Sequence, residues 1–209
     1  LPTMYHELLR DASFWTFLLT IDRSLAEKCQ EDGCRCGGRL HTANYLRKPR
    51  GPRALPKEHR YRLSFCCDRD GCRKRVTPPS ARFLGRKVYL GAVVVLVAAM
   101  RQGPTPRRVD ELTKLFKVDR KTIYRWREFW NEHFPRTTFW KVARARLVPV
   151  FQVVDFPRSL LKAFVRAPDD RDGWGNLLEF LSPISTTKGL EIKVSDDREK
   201  PAEDGDRRP

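Results

Sequence analysis

Six cysteines stand in this 209-residue chain, and four of them fall into two tight groups that could share a cation. The first group is Gly-Cys-Arg-Cys-Gly-Gly (33–38), with Cys34 and Cys36 one residue apart. The second is Cys-Asp-Arg-Asp-Gly-Cys, from Cys67 to Cys72, with Cys66 immediately before it. A structural zinc takes four ligands in a tetrahedron, and thiolates suit it. Small β hairpins supply such ligands from two turns, where glycine lets backbone N–H groups face the sulfurs without a Cβ clash. Cys34, Cys36, Cys67 and Cys72 are the expected ligands of a structural Zn2+. Phe65 sits two residues before Cys67, on the same strand parity, which favours Cys67 over Cys66. Sequence alone leaves that choice open and keeps His41 as a further candidate. Neither pair has the two-residue gap of a redox dithiol, and no βαβ pattern surrounds them. A catalytic zinc needs an open position and a nearby base. No Glu or His stands beside these cysteines in the manner of a zinc deaminase. The expected metal is therefore one that gives a core to a segment too short and charged to make its own.

A second set of residues points to nucleic acid. In "RRVDELTKLFKVDRKTIYRWREFWNEHF" (107–134), Val109, Leu112, Leu115 and Phe116 fall on one helical face and Val118 plugs a turn. Ile123, Trp126, Trp130 and Phe134 repeat at a spacing of 3–4 on the next helix. Arg120, Lys121, Thr122, Tyr124 and Arg125 then occupy its opening half, the part of a recognition helix that enters the major groove. Arg and Lys can reach guanine edges or phosphates, and Thr can contact either. "RKPRGPR" (47–53) adds Arg47, Lys48, Arg50 and Arg53 as a basic loop expected to touch phosphates.

These residues need elements to position them. Apolar residues at helical spacing predict a helix over 4–28, with Ser13 capping its second part. Alternation predicts short strands over 39–46 and 59–66, the second with Tyr61, Leu63 and Phe65 on one face. The segment 47–58 joins them as a Pro/Gly loop. Helices are expected over 88–102, 106–116 and 120–134. Thr105 and Asp119 stand as caps for the last two, and Pro106 sits where its missing N–H is harmless. Two or three short helices follow in 137–182, punctuated by Pro149, Pro157, Pro168 and Pro183. The polar stretch from about residue 195 reads as disordered. The expected class is α+β: a small zinc-ribbon β-hairpin module followed by a mainly α-helical helix-turn-helix domain. Its boundaries are 1–30 (N-terminal helical segment), 31–84 (ribbon), 85–136 (helix-turn-helix), 137–194 (small helical region) and 195–209 (charged tail).

Charge supports this division. The net charge is +16, which argues for a polyanionic partner. Residues 35–87 hold 16 Lys/Arg against 3 Asp/Glu, whereas 196–209 hold 6 acids and 4 bases. The longest apolar run, "VYLGAVVVLVAAM" (88–100), falls short of the roughly 18 residues of a membrane span, and no secretory pattern opens the chain. A cytoplasmic, nucleoid-associated location and no membrane partner are expected, in a reducing environment where clustered cysteines bind metals rather than pair.

The order of "FCCDRDGCRKRVTPPS", an apolar segment and "KVDRKTIYRW" resembles the zinc-ribbon plus helix-turn-helix DNA-binding region of insertion-sequence transposases and their accessory proteins, over roughly residues 30–135. The resemblance implies zinc at Cys34, Cys36, Cys67 and Cys72 and recognition by 120–125. A transposase would add three carboxylates on an RNase H-like sheet. Asp155, Asp169, Asp170, Asp172 and Glu179 lie in loops or short helices with no succession of strands. The expectation is a sequence-specific double-stranded DNA-binding protein, not an enzyme, accessory to or regulating transposition, with a transposase or recombinase as a further partner. The alternatives are the DNA-binding subunit of such an enzyme and an RNA-binding zinc-ribbon protein.

Overall fold

A computed structural model describes residues 8–48, 55–84, 89–90, 105–146, 156–167 and 169–186. Its class is α+β, with helices and small antiparallel sheets. The first long helix, α1, spans Ala12–Glu31. Asp11 is its cap, accepting from the Ser13 N–H at 2.9 Å; Ser13, expected as the cap, donates instead to the Asp11 carboxylate. The buried stripe of α1 runs Phe14, Trp15, Leu18, Leu19, Asp22 and Ala26. This is helical spacing with one carboxylate set among apolar residues. Gly33, at φ +67°, ends the helix and turns the chain straight into Cys34.

The hairpin follows. β1 (Leu40–Thr42) pairs with β4 (Phe65–Cys67), and β2 (Tyr45–Leu46) with β3 (Tyr61–Arg62). Leu40 faces Cys67, Thr42 faces Phe65, Tyr45 faces Arg62 and Leu46 faces Tyr61, so both pairings share one register. Between them the ladder is interrupted at Asn44, whose side-chain oxygen accepts from the Ser64 N–H at 2.9 Å. The two strands predicted from alternation are thus one interrupted hairpin. β5 (Arg75–Val76) adds to the far side of β4. Phe65 and Cys67 are buried on one side, as parity predicts. Tyr61 and Leu63 are only half-buried, while Arg62 on the opposite side is 2% exposed. Both faces of this hairpin are therefore covered in part, which alternation could not reveal.

Residues 89–90 were expected to open a helix. Instead β7 (Tyr89–Leu90) pairs with β6 (Phe83–Leu84); the rest of the predicted helix 88–102 lies outside the described residues. α2 (Pro106–Phe116) has Thr105 at its cap position without a capping hydrogen bond, and Pro106 in its first turn. Lys117 then adopts a left-handed conformation, φ 50° and ψ 44°. Buried Val118 fills the turn, and Asp119 caps α3 (Arg120–Glu128) by accepting from Lys121 N–H at 2.6 Å. The helical path continues beyond α3 as a π turn, Phe129–His133, and a 3-10 turn, Phe134–Arg136. α4 (Thr138–Ala143), α5 (Arg158–Phe164) and α6 (Arg171–Leu181) follow, in the stretch expected to hold two or three short helices. The predicted tail, 195–209, lies outside the described residues. No helix among the described residues is long and apolar enough to cross a membrane.

One apolar cluster joins α1, β6, α2, α3 and the C-terminal helices, so the core crosses the boundaries predicted after residues 30 and 136. Trp130, Phe134, Trp140 and Phe156 form its aromatic centre, with Trp130–Phe134 and Trp140–Phe156 ring centroids each 4.7 Å apart. α1 lies so close to α6 that a Cβ on Gly175 would stand 2.6 Å from the Phe17 ring. A smaller cluster of Ala26, Cys34, Leu40, Phe65 and Cys67 sits under the hairpin.

A buried polar network locks the two parts together. Arg82 and Asp22 form an ion pair at 2.8 Å with side chains 0% and 1% exposed. Asp22 also accepts from Ser80 Oγ at 2.7 Å and Ala81 N–H at 2.6 Å. Arg82 donates to the carbonyls of His59 at 2.7 Å and Tyr61 at 2.9 Å. Arg62 donates to the Pro78 carbonyl at 2.6 Å. Burial, the dominant cause, pushes Arg62 down to about 10. Both arginines belong to the basic excess of residues 35–87, yet they are internal. Removing one partner of a buried pair leaves an uncompensated charge. Asp22→Ala should therefore cost about 3–5 kcal/mol of stability in chemical denaturation.

Candidate metal centre and basic helix face

The sulfurs of Cys34, Cys36, Cys67 and Cys72 all lie within 4.8 Å of one another. The Cys34–Cys72 sulfurs are 3.7 Å apart and the Cys36–Cys67 sulfurs 3.5 Å, too far for disulfides. A tetrahedron of thiolates at about 2.3 Å from a metal has edges of about 3.8 Å, which these separations approach. The four residues can hold a metal ion.

Each turn is built around its cysteines. In the first, Gly37 at φ +80° lets its N–H reach the Cys34 carbonyl at 2.7 Å. Gly38 leaves the room that the opposite ligand needs, since a Cβ there would stand 2.5 Å from Cys67 Sγ. In the second, Gly71 at φ +81° and Arg73 at φ 42° turn the chain, and the Cys72 N–H donates to the Arg69 carbonyl at 3.1 Å. Asp68 ties the turns together by accepting from the Arg39 N–H at 2.9 Å and pairing with His41 Nε2 at 3.3 Å. Arg69 also donates across the site to the Cys36 carbonyl.

Backbone amides two residues on, at Gly38, Arg69 and Lys74, donate to the sulfurs of Cys36, Cys67 and Cys72. The Gly38 amide, followed by the thiols of Cys72 and Cys67, holds Cys36 down at about 6. Although the Arg69 amide favours its thiolate, burial and the neighbouring thiols push Cys67 up to about 12. Cys72 is raised too, against the Lys74 amide, by Cys36 and by burial. One thiolate forms readily; further negative charge in so small a volume calls for a cation.

The two open choices from the sequence have geometric answers. Cys67 belongs to the cluster, whereas Cys66 turns its thiol to the carbonyls of Arg73 and Cys67. His41 is exposed and engaged with Asp68, not with the sulfurs. Cys29 lies on α1 and packs against the small cluster beneath the hairpin.

The helix pair α2–α3 carries the second candidate set. Lys121, Tyr124 and Arg125 are exposed, Tyr124 at 51% despite its ring. Arg120 is exposed as well, but its guanidinium is paired with Asp110 of α2, through Nε at 3.0 Å and through Nη2. Thr122 corrects the prediction: it is 4% exposed. It stands four residues before Trp126, on the same buried stripe, so its hydroxyl cannot face a partner. It accepts instead from Arg125 Nη2 at 3.1 Å. In the basic loop, Arg47 is half-buried against Tyr45 and Lys48 is exposed; Arg50 and Arg53 lie outside the described residues.

Of the residues placed as a nuclease-like option, Asp170 caps α6, accepting from Gly173 N–H and Arg166 N–H at 2.9 Å each. Asp155 lies outside the described residues. Sequence reasoning missed the Asp22–Arg82 network; its signal was an aspartate within the apolar stripe of α1. It also missed Tyr45 and Arg75, which meet only through strand register.

Elemental analysis of the purified chain should find one bound metal ion per molecule. Cys67→Ser should lose it and Cys66→Ser should keep it. Gly38→Ala should lose most of it, because the new methyl occupies the position beside Cys67 Sγ. Compared with family models, curated proteins and solved structures, the chain finds no match.

Proposed function

We propose that the chain is a sequence-specific double-stranded DNA-binding protein carrying a structural zinc ribbon. In this reading it serves transposition as an accessory or regulatory protein beside a transposase or recombinase, as the resemblance implies. The observation that carries it is the row of Lys121, Tyr124 and Arg125, all exposed on the opening half of a helix that a buried plug and a capped turn set against its predecessor. This arrangement supports reading the pair as a helix-turn-helix, a motif whose second helix lays its N-terminal residues on base edges in the major groove. Arg120 reaches back to Asp110 of α2 and offers its remaining donors to phosphate. Four thiols and no carboxylate or imidazole make a soft donor set. Such a set suits zinc and leaves no open position for chemistry. The metal's role is then architectural, and the chain binds without cutting.

Selection of bound duplexes from a random pool tests the reading. A preferred sequence should emerge, and Arg125→Ala should cost about 1–3 kcal/mol on it while relaxing the preference at one position. Structured RNA that competes better than the selected duplex at equal salt would defeat the DNA reading. Nicking of element-end DNA with Mg2+ that disappears when Asp169 or Asp172 is replaced would overturn the non-enzymatic part.

A further inference from the structure

Thr122 and Arg125 are joined in a way that the exposure of α3 alone does not explain. The Arg125 side chain lies back along the helix toward its opening turn, the direction that long side chains take on a helix. Its Nε donates to the Lys121 carbonyl at 3.3 Å and its Nη2 to Thr122 Oγ at 3.1 Å. Arg125 is exposed, yet its guanidinium is held over the first turn of α3 and not over its own place in the second.

These two bonds decide which donors remain. A guanidinium carries its five N–H donors in one rigid plane. Nε and one hydrogen of Nη2, the side edge of that plane, are used within the helix. Nη1 and the other hydrogen of Nη2 form the end of the fork and have no acceptor among the described residues. Arg120 differs. It gives the same edge to the Asp110 carboxylate, which offsets its charge. Both acceptors of Arg125 are neutral, so its charge stays with the outward fork. Of the two, Thr122 is the one that depends on side-chain type. Its hydroxyl is rooted in the buried stripe, at 4% exposure, and cannot swing with the arginine it holds.

We propose that Arg125 reads a guanine in the major groove with this end-on fork, and that Thr122 is the positioning residue that aims it. The proposal rests on the DNA-binding reading above and names the base which that reading leaves open. Guanine presents O6 and N7 side by side in the major groove, two acceptors that match a planar pair of donors. Adenine has an amino donor where guanine has O6, so it offers the fork one acceptor only. Phosphate would accept the same fork, but contacts to it carry no base information and survive a loss of aim. A side chain tied at two points before contact suits the base edge, because less freedom is lost on binding. Thr122 thus acts on the base through Arg125, without touching it.

The test titrates a duplex selected from a random pool, and copies with each guanine changed in turn to adenine or to 7-deazaguanine, which lacks the N7 acceptor. Wild type, Thr122→Val, Thr122→Ser and Arg125→Lys are compared. At one guanine, wild type should bind about 5- to 150-fold more tightly than with adenine there, with a smaller loss for 7-deazaguanine. Thr122→Val should lower that ratio by about two- to tenfold, with the salt dependence of binding unchanged. Thr122→Ser keeps the hydroxyl and should keep the ratio. Arg125→Lys keeps the charge and loses the fork, so it should abolish the ratio and leave the salt dependence in place. A threonine that served the fold alone would move the melting temperature and not the ratio. If Thr122→Val melts early, Thr122→Ala takes its place. An unchanged ratio in the folded variant would overturn the role of Thr122. A ratio that survives Arg125→Lys, or a selected duplex in which no guanine stands out, would overturn the guanine reading. A wild type that binds no duplex would overturn the DNA reading itself.

Discussion

The ion pair of Asp22 with Arg82 is the constraint on which the arrangement rests. Asp22 belongs to the first helix, Arg82 follows the hairpin, and the carbonyls that Arg82 also holds belong to the segment entering β3. Ser185, in the 3-10 turn that follows α6, accepts from Ser80 N–H at 2.9 Å in the same network. A buried pair of this kind is weak evidence of net stability, because desolvating two charges is costly. Its value here is geometric. Each hydrogen bond has one satisfying arrangement, so four separated stretches of chain are held in one relation. An apolar contact would tolerate sliding.

This internal use of arginine changes how the net charge of +16 is understood. The basic excess of residues 35–87 is not a uniform coat. Arg62 and Arg82 are structural and fully inside. Arg69 and Arg73 brace the second cysteine turn. The exposed cations are fewer and grouped, among them Arg75 on the hairpin and Arg120, Lys121 and Arg125 on the opening of α3. A grouped charge gives orientation as well as attraction.

Periodicity made the helices legible in the sequence. The stripes of 14–26 and 123–134 and the C-terminal helices follow from apolar spacing, and the Asp119 cap and the helix start at Pro106 from local chemistry. The cluster of four cysteines was legible because thiols with glycine neighbours have few structural reasons to gather. What remained hidden depends on tertiary context. Thr122 stands in the opening half of α3, where exposure is expected, yet Trp126 four residues on draws that side of the helix inward. Residues 89–90 look helical in a valine-rich run, yet they answer to β6. Arg62 alternates correctly for an exposed position and is covered only because the chain returns over it at Pro78. No local signal carries such a return.

The unbroken register of the hairpin separates what can vary from what cannot. A slip of one residue would turn Cys67 and Phe65 outward and bring Cys66 into the cluster, so the lengths of both arms are locked to the four thiols. The chain that links the arms beyond Lys48 is under no such lock, because closing a loop of a different length costs little more. Insertions and deletions among relatives should therefore collect there and nowhere between the cysteine turns and the strand ends. The hairpin is in that sense a fixed handle with an interchangeable tip.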